Sequence, residues 1–251
     1  MKTVVQRVTR AEVRVGDDVV GKIGQGLALL VGVEKGDGEA DADETARKIA
    51  ALAAAFPPAS PHAPAPPARC QETLREAGLK FSPWPLRPSR MPNGVVCEAP
   101  GGIAVRRGPT VRYQPGARVN CAFAQRLVRF EKIVDEESRA VLRSRVRVIV
   151  QLGTYNCRRM AAYPDLVSEH SFANAIDVTA FVLANGRRVE VERDWLPAAQ
   201  PATRPASQFL RRLTRRLYDE QVFSVVLTPS YDRHHKNHLH LDGADYSVEG
   251  T

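Results

Sequence analysis

"SEHSFANAIDV" occupies Ser168–Val178 and "NHLHLD" occupies Asn237–Asp242. Both stretches set His and Asp side chains among apolar neighbours. A buried polar group without a partner costs about 1–3 kcal/mol, so these groups demand partners, and a metal ion would supply one. Alternate residues of a strand share a face. His238, His240 and Asp242 therefore point one way, while Leu239 and Leu241 point toward the core. His170 and Asp177 lie seven residues apart, too far for one helical turn. A short loop running into a strand would fold them onto a single ion, and the small residues Ala173 and Ala175 permit a close approach. Three protein ligands, His170, Asp177 and one of the His238/His240 pair, with one open position form the pattern of a catalytic zinc rather than a structural one. The competing reading is a buried His170–Asp177 ion pair, with the C-terminal histidines on a solvated edge.

Working outward, "FSVVLTPS" pairs with the His-bearing strand. "RVRVIVQLGTYNC" reads as a buried strand, and "FVLANGRRVEVERDW" as a hairpin turning at Asn185-Gly186. A long helix around Asn120 to Leu142 carries Phe123, Leu127, Phe130, Val134 and Val141 on one face, which is core packing. "ASQFLRRLTRRLYDE" is a final helix burying Phe209, Leu213 and Leu217. Nearer the start of this region, "CQETLREAGLKF" is a short helix, and "NGVVCEAPGGIAVRR" gives two strands across a Pro-Gly-Gly turn. The fold class expected is α+β, a largely antiparallel sheet with flanking helices.

"PPASPHAPAPPAR", Pro57 to Arg69, is an extended Pro-rich linker, and its His62 is incidental and solvated. Before it, residues 1–56 form a partial β-rich fragment with one helix. "TVVQRVTRAEVRV", "VVGKIG" and "GLALLVGV" are strands, and "DADETARKIAALAAAF" is a helix with acidic residues in its first turn. Fifty-six residues cannot easily build a full core alone.

The chain has 251 residues and a net charge of +8. Residues 1–56 hold 8 Lys+Arg and 9 Asp+Glu, so the basic excess lies wholly in the remainder, 28 against 19. A basic surface favours polyanions such as nucleic acid, anionic lipid or acidic wall polymers. The Arg residues are scattered through helices rather than interleaved with aromatics, so no nucleic-acid partner is expected. No apolar run approaches the ~20 residues of a membrane span. Cys70, Cys97, Cys121 and Cys157 all follow Phe56 without a C-x-x-C pair, against a Cys-ligated zinc ribbon. An even set suggests two disulfides and an oxidising compartment; free buried thiols are the alternative, and three pairings are open.

Two resemblances add to this reading. "MKTVVQRVTRAEVRVGDDVVGKIGQGLALLVGVEKGDGEADADETARKIA" resembles the opening of a bacterial D-aminoacyl-tRNA deacylase and stops near Phe56. That family's catalytic Ser-Gln-Phe-Thr and Gly-Pro-Val-Thr segments do not appear. "GPT" at Gly108–Thr110 is a coincidence in a region that resembles another family. From Cys70 to Thr251, "FSPWPLRPSRMPNGVVCEAPGG", "VNCAFA", "LGTYNCR", "SEHSFANAIDV" and "NHLHLD" resemble the bacterial extensin-like C-terminal domain family. "SEHSFANAIDV" and "HLH" are also similar to the motifs of zinc D,D-peptidases, which cleave peptidoglycan cross-bridges or stem peptides.

These resemblances imply a zinc D,D-peptidase-like fold and a Zn2+ ion on His170, Asp177 and His240. They imply His238 as proton shuttle or oxyanion stabiliser, and Arg158 as a clamp on a substrate carboxylate, with Arg159 the weaker candidate. Ser168 would hydrogen-bond near the ligand loop and Asp242 would orient His240, while His234 and His235 would lie in a solvated loop at the site mouth. The sequence departs from the motifs at Ala173, where they have Gly and where the extra methyl would crowd the loop, and at Asn237, where many relatives place Glu or Asp. The implied partner is peptidoglycan and the implied location the periplasm or cell envelope. Met1 onward shows no secretory signal, so the sequence as written reads as cytoplasmic and as a fusion of two unrelated pieces.

Overall fold

The computed structural model describes residues 2–8, 11–16, 18–23, 26–55, 67–92, 94–160, 167–197, 200–245 and 247–250. The chain divides into two compact units, Met1–Ala63 and Pro64–Thr251. Residues 57–66 of the expected linker, with His62, lie outside the described residues.

In the first unit, β1 (Lys2–Val8) pairs antiparallel with β4 (Gly26–Gly32), and β2 (Ala11–Val15) with β3 (Asp18–Ile23). Helix α1 (Glu39–Ala55) follows, with Glu39 and Asp41 in its first turn, where carboxylates complement the exposed N–H groups. The four strands form two separate ribbons rather than one sheet. Leu30 is 70% exposed, and Leu29, Val31 and Val33 are also solvent-facing.

In the second unit, α2 (Pro67–Glu76) begins inside the expected linker. Pro67 can open this helix because a first-turn N–H has no intrahelical partner anyway. A nine-stranded sheet follows: β5 (Lys80–Pro83), β8 (Ile103–Arg107), β9 (Arg112–Val119), β10 (Val146–Gln151), β11 (Ala175–Leu183), β12 (Arg188–Glu190), β13 (Val225–Leu227), β14 (Leu239–Asp242) and β15 (Val248–Gly250). Its order is β15-β13-β14-β11-β10-β9-β8-β5, with β12 beside β11. Only β9–β10 and β13–β15 pair parallel, so the sheet is largely antiparallel. Two short strands, β6 (Ser89–Arg90) and β7 (Val96–Cys97), form a separate ribbon. The two strands expected on either side of Pro100-Gly101-Gly102 are β7 and β8, but they do not pair with each other: β7 joins β6, while β8 is drawn between β5 and β9.

The helices α3 (Cys121–Leu142) and α5 (Pro205–Asp219), with the single turn α4 (Val191–Asp194), cover one face of the sheet. Phe123, Leu127, Phe130 and Val134 of α3, Phe209, Leu213 and Leu217 of α5, and Ile149, Ile176, Phe181, Leu239 and Leu241 of the sheet form one buried cluster, with Val141 against its edge. Each large apolar side chain removed from water contributes roughly 1.5–3 kcal/mol. Two disulfides, Cys70–Cys121 and Cys97–Cys157, clamp α2 to the start of α3 and β7 to the segment after β10.

The Gly108–Thr110 turn has a structural task. Buried Glu131 of α3 accepts from the Thr110 N–H at 2.9 Å, the Val111 N–H at 3.3 Å and the Tyr113 hydroxyl at 2.9 Å. A Cβ on Gly108 would collide with that carboxylate. Leu239 and Leu241 join the core beneath the helices, so His240 and Asp242 stand on the opposite face of the sheet.

Candidate metal centre

Asp177 on β11 and His240 on β14 are direct cross-strand partners. His170 arrives from a 3-10 turn (Glu169–Phe172) that ends against β11. One ligand atom from each of His170, Asp177 and His240 lies within 4.8 Å of the others. His240 Nδ1 is 2.9 Å from Asp177 Oδ1, and His170 Nε2 is 3.2 Å from Asp177 Oδ2 and 3.3 Å from His240 Nδ1. Two imidazole nitrogens and a carboxylate this close together could hold a metal ion between them. The simple His170–Asp177 ion pair is too small a description, because His240 joins it.

The turn is held from several sides. Ala173 closes it in the left-handed region at φ 51°, with its N–H on the His170 carbonyl at 3.2 Å. A side chain is disfavoured there, so a motif glycine at this position relieves backbone strain rather than the crowding expected from sequence. Asn120, the N-cap of α3, donates from Nδ2 to the Phe172 carbonyl at 3.0 Å and from its N–H to the Ala173 carbonyl at 2.9 Å. Ser171 Oγ accepts from the Arg158 N–H at 3.0 Å and donates to the Arg158 carbonyl at 2.9 Å. Asn120 and Ser171 were invisible from sequence as site residues, since their partners lie far along the chain.

Behind the ligands, Asp242 Oδ2 sits 2.9 Å from His240 Nε2, and its Oδ1 accepts the Ala244 N–H at 3.0 Å. A carboxylate on the far nitrogen fixes the ring and its tautomer. Burial opposes the charge on His240, but its hydrogen bonds to Asp177 and Asp242 outweigh it and push its pKa up to about 9. Burial likewise opposes the charge on Asp177, yet His170 and His240 hold it well below the usual carboxylate range. Glu169, missed from sequence, is half-buried and raised to about 7, first by burial and then by Asp242 and Asp245, against a hydrogen bond from Asn174 at 2.6 Å.

His238 joins the cluster, with Nε2 3.5 Å from Asp177 Oδ1 and Nδ1 2.9 Å from Asn237 Oδ1. Burial lowers its pKa ahead of the opposing pull of Asp177. His235 departs from the expected solvated loop. Its ring packs 5.3 Å from that of His238 and 5.8 Å from that of His240, while Asp232 Oδ1 holds its Nδ1 at 2.7 Å. Ring contacts and the Asp232 carboxylate hold it there; His234 stays exposed.

Ser168 precedes the turn, buried, with its N–H on the Arg158 carbonyl at 3.1 Å and no side-chain cap. Arg158 is half-buried and its guanidinium donates to the Arg159 carbonyl at 3.2 Å, not to the ligand carboxylate. Arg159 forms an isolated bridge with Val167. All four cysteines are paired, which removes the free-thiol alternative.

A mixed α/β domain with helices on one sheet face and a His–Asp–His cluster on the other defines a class of candidate metalloproteins. Residues 68–250 match the family described as Extensin-like protein C-terminus, nearly three quarters of the chain, and the chain belongs to that cell-wall-related family. Residues 4–56 match the D-Tyr-tRNA(Tyr) deacylase family. Over this stretch the chain is 59% identical across 49 residues to a D-aminoacyl-tRNA deacylase of Dehalococcoides mccartyi, covering 20% of this chain and 32% of that one. It is 58% identical across 52 residues to that of Roseiflexus sp., covering 21% and 34%. With Symbiobacterium thermophilum the identity is 54% over 52 residues, covering 21% and 34%. The chain thus spans about a third of the length of these curated relatives. No solved structure matches.

Proposed function

We propose that the Pro64–Thr251 unit is a zinc-dependent hydrolase of peptide bonds in peptidoglycan, of the D,D-carboxypeptidase or endopeptidase type. The observation that carries this reading is the convergence of His170, Asp177 and His240 within 4.8 Å, backed by Asp242 on the far nitrogen of His240. A zinc ion held there supplies Lewis acidity, which makes water a competent nucleophile at neutral pH. In the Nδ1–H tautomer, His238 donates to the Asn237 side-chain oxygen 2.9 Å away, which leaves Nε2 as the basic nitrogen beside the ligand carboxylate. Burial lowers the pKa of His238 against the pull of Asp177, and its place beside the cluster suits it to accept a proton and return it to the leaving amine. Asn237 then orients the base rather than serving as one. The family resemblance offers Arg158, on the segment leading into the ligand turn, as a first candidate clamp for a substrate carboxylate. Two disulfides support an oxidising location such as the periplasm or cell envelope.

The test is zinc content and muropeptide cleavage, measured on the purified chain and on His240→Ala. About one zinc per chain, lost in the variant together with cleavage, is the expected result. Zinc without cleavage would leave a metal-stabilised wall-binding module, and no zinc at all would overturn the assignment.

A further inference from the structure

A cavity of 390 Å³ opens on the same sheet face as the metal cluster, lined by Arg106, Arg118, Gln151, Leu152, Thr154 and Tyr155 among others. Its wall is shared with the ligands. The Leu152 N–H donates to the Asp177 carbonyl at 2.8 Å, the Asp177 N–H to the Gly153 carbonyl at 3.1 Å, and the Asn156 N–H to the His170 carbonyl at 3.1 Å. Residues 151–155 therefore line the cavity, while the backbone of Leu152, Gly153 and the adjoining Asn156 holds two of the three ligand residues.

The chemistry of the lining is specific. Arg118 lies 5.8 Å from the Trp84 ring, and Trp84 packs edge-on to Tyr155 at 5.2 Å. Among the described residues neither Arg106 nor Arg118 has a carboxylate partner. Gln151 is 4% exposed; its Nε2 donates to the Pro115 carbonyl at 3.1 Å, and its Oε1 accepts nothing. An unpartnered buried acceptor is costly to keep, so this one, just beneath the lining, marks a floor made for a donor.

We infer that this cavity is a subsite for an acidic peptide segment, its carboxylate on Arg118 and Arg106 and a neighbouring amide N–H on Gln151 Oε1. The inference rests on the peptidase reading for its place beside the metal cluster, and it deepens that reading by moving the clamp on the substrate carboxylate from Arg158 to Arg118 and Arg106.

The probe is acetyl-Lys-D-Ala-D-Ala and the same peptide as its C-terminal amide, titrated by calorimetry and Trp84 fluorescence into EDTA-treated full chain, where no turnover intervenes. The acid should bind roughly tenfold more tightly than the amide, the scale of one charge-assisted hydrogen bond. Arg118→Gln should erase most of that preference, while Gln151→Leu should weaken both peptides and leave the preference standing. Equal binding of acid and amide, no binding of either, or a preference that survives Arg118→Gln and disappears in Arg158→Gln would overturn the subsite. Loss of zinc and cleavage with an intact Arg118-dependent preference would sink the peptidase reading alone. Cleavage by a protein indifferent to the carboxylate would sink the subsite alone.

Discussion

His240 is the pivot of the molecule at the scale of single residues. Asp177 holds one ring nitrogen and Asp242 the other, and together they raise its pKa to about 9 against burial. A histidine raised above its unfolded value of 6.5 contributes stability in full below that value and loses it as pH climbs through about 9. The melting temperature of the EDTA-treated protein should therefore fall from pH 6.5 to pH 9. Zinc takes the deprotonated ring, so the gap between zinc-loaded and metal-free melting temperatures should widen over the same window. His240→Ala should flatten both trends in scanning calorimetry. A melting temperature indifferent to pH in the unmutated, metal-free protein would remove the two-carboxylate account of His240.

At the scale of elements, the start of α3 and the ligand turn are one construction. Asn120 Oδ1 accepts the Phe123 N–H at 2.7 Å while its Nδ2 donates to the Phe172 carbonyl. One side chain thus caps a helix and anchors the turn that presents His170. Asn120→Ala should cost about 1–2 kcal/mol, the worth of an N-cap, and should also weaken zinc binding. Asn120→Asp keeps the cap acceptor but loses the donor, so it should restore most of the stability in urea melts and leave zinc affinity low. If both variants bind zinc as the parent does, the anchor has no part in the site. The helix face, the α5 face and the β11–β12 turn at Asn185-Gly186 were legible in the sequence, because each rests on local periodicity or turn chemistry. The two strands beside the Pro-Gly-Gly turn were legible too, but not their partners, which lie elsewhere in the chain.

At the scale of the whole molecule, the two units differ in how they are held. The Pro64–Thr251 unit has a continuous buried core and two disulfides closing spans of 51 and 60 residues. Each such bridge is worth about 4 kcal/mol in the chain-entropy account. Met1–Ala63 instead forms two separate ribbons and a helix, with Leu29, Leu30, Val31 and Val33 in solvent. Calorimetry should show one cooperative transition, shifted down by dithiothreitol; a second transition unaffected by reductant would mean that the first unit has a core of its own.

The sequence by itself determined the fold class, the place where one family likeness ends and the other begins, and the three candidate ligands. Strand alternation put His240 and Asp242 on one face, and local motifs marked His170 and Asp177. Only the tertiary structure decided the disulfide pairing, the anchoring of the ligand turn by Asn120 and Ser171, the inward turn of His235, and the cavity walled by Arg118 and Gln151. Periodicity reports which way a side chain points along its own element. It carries nothing about which distant element will meet it, and that meeting is set by how the sheet orders its strands and packs on its helices.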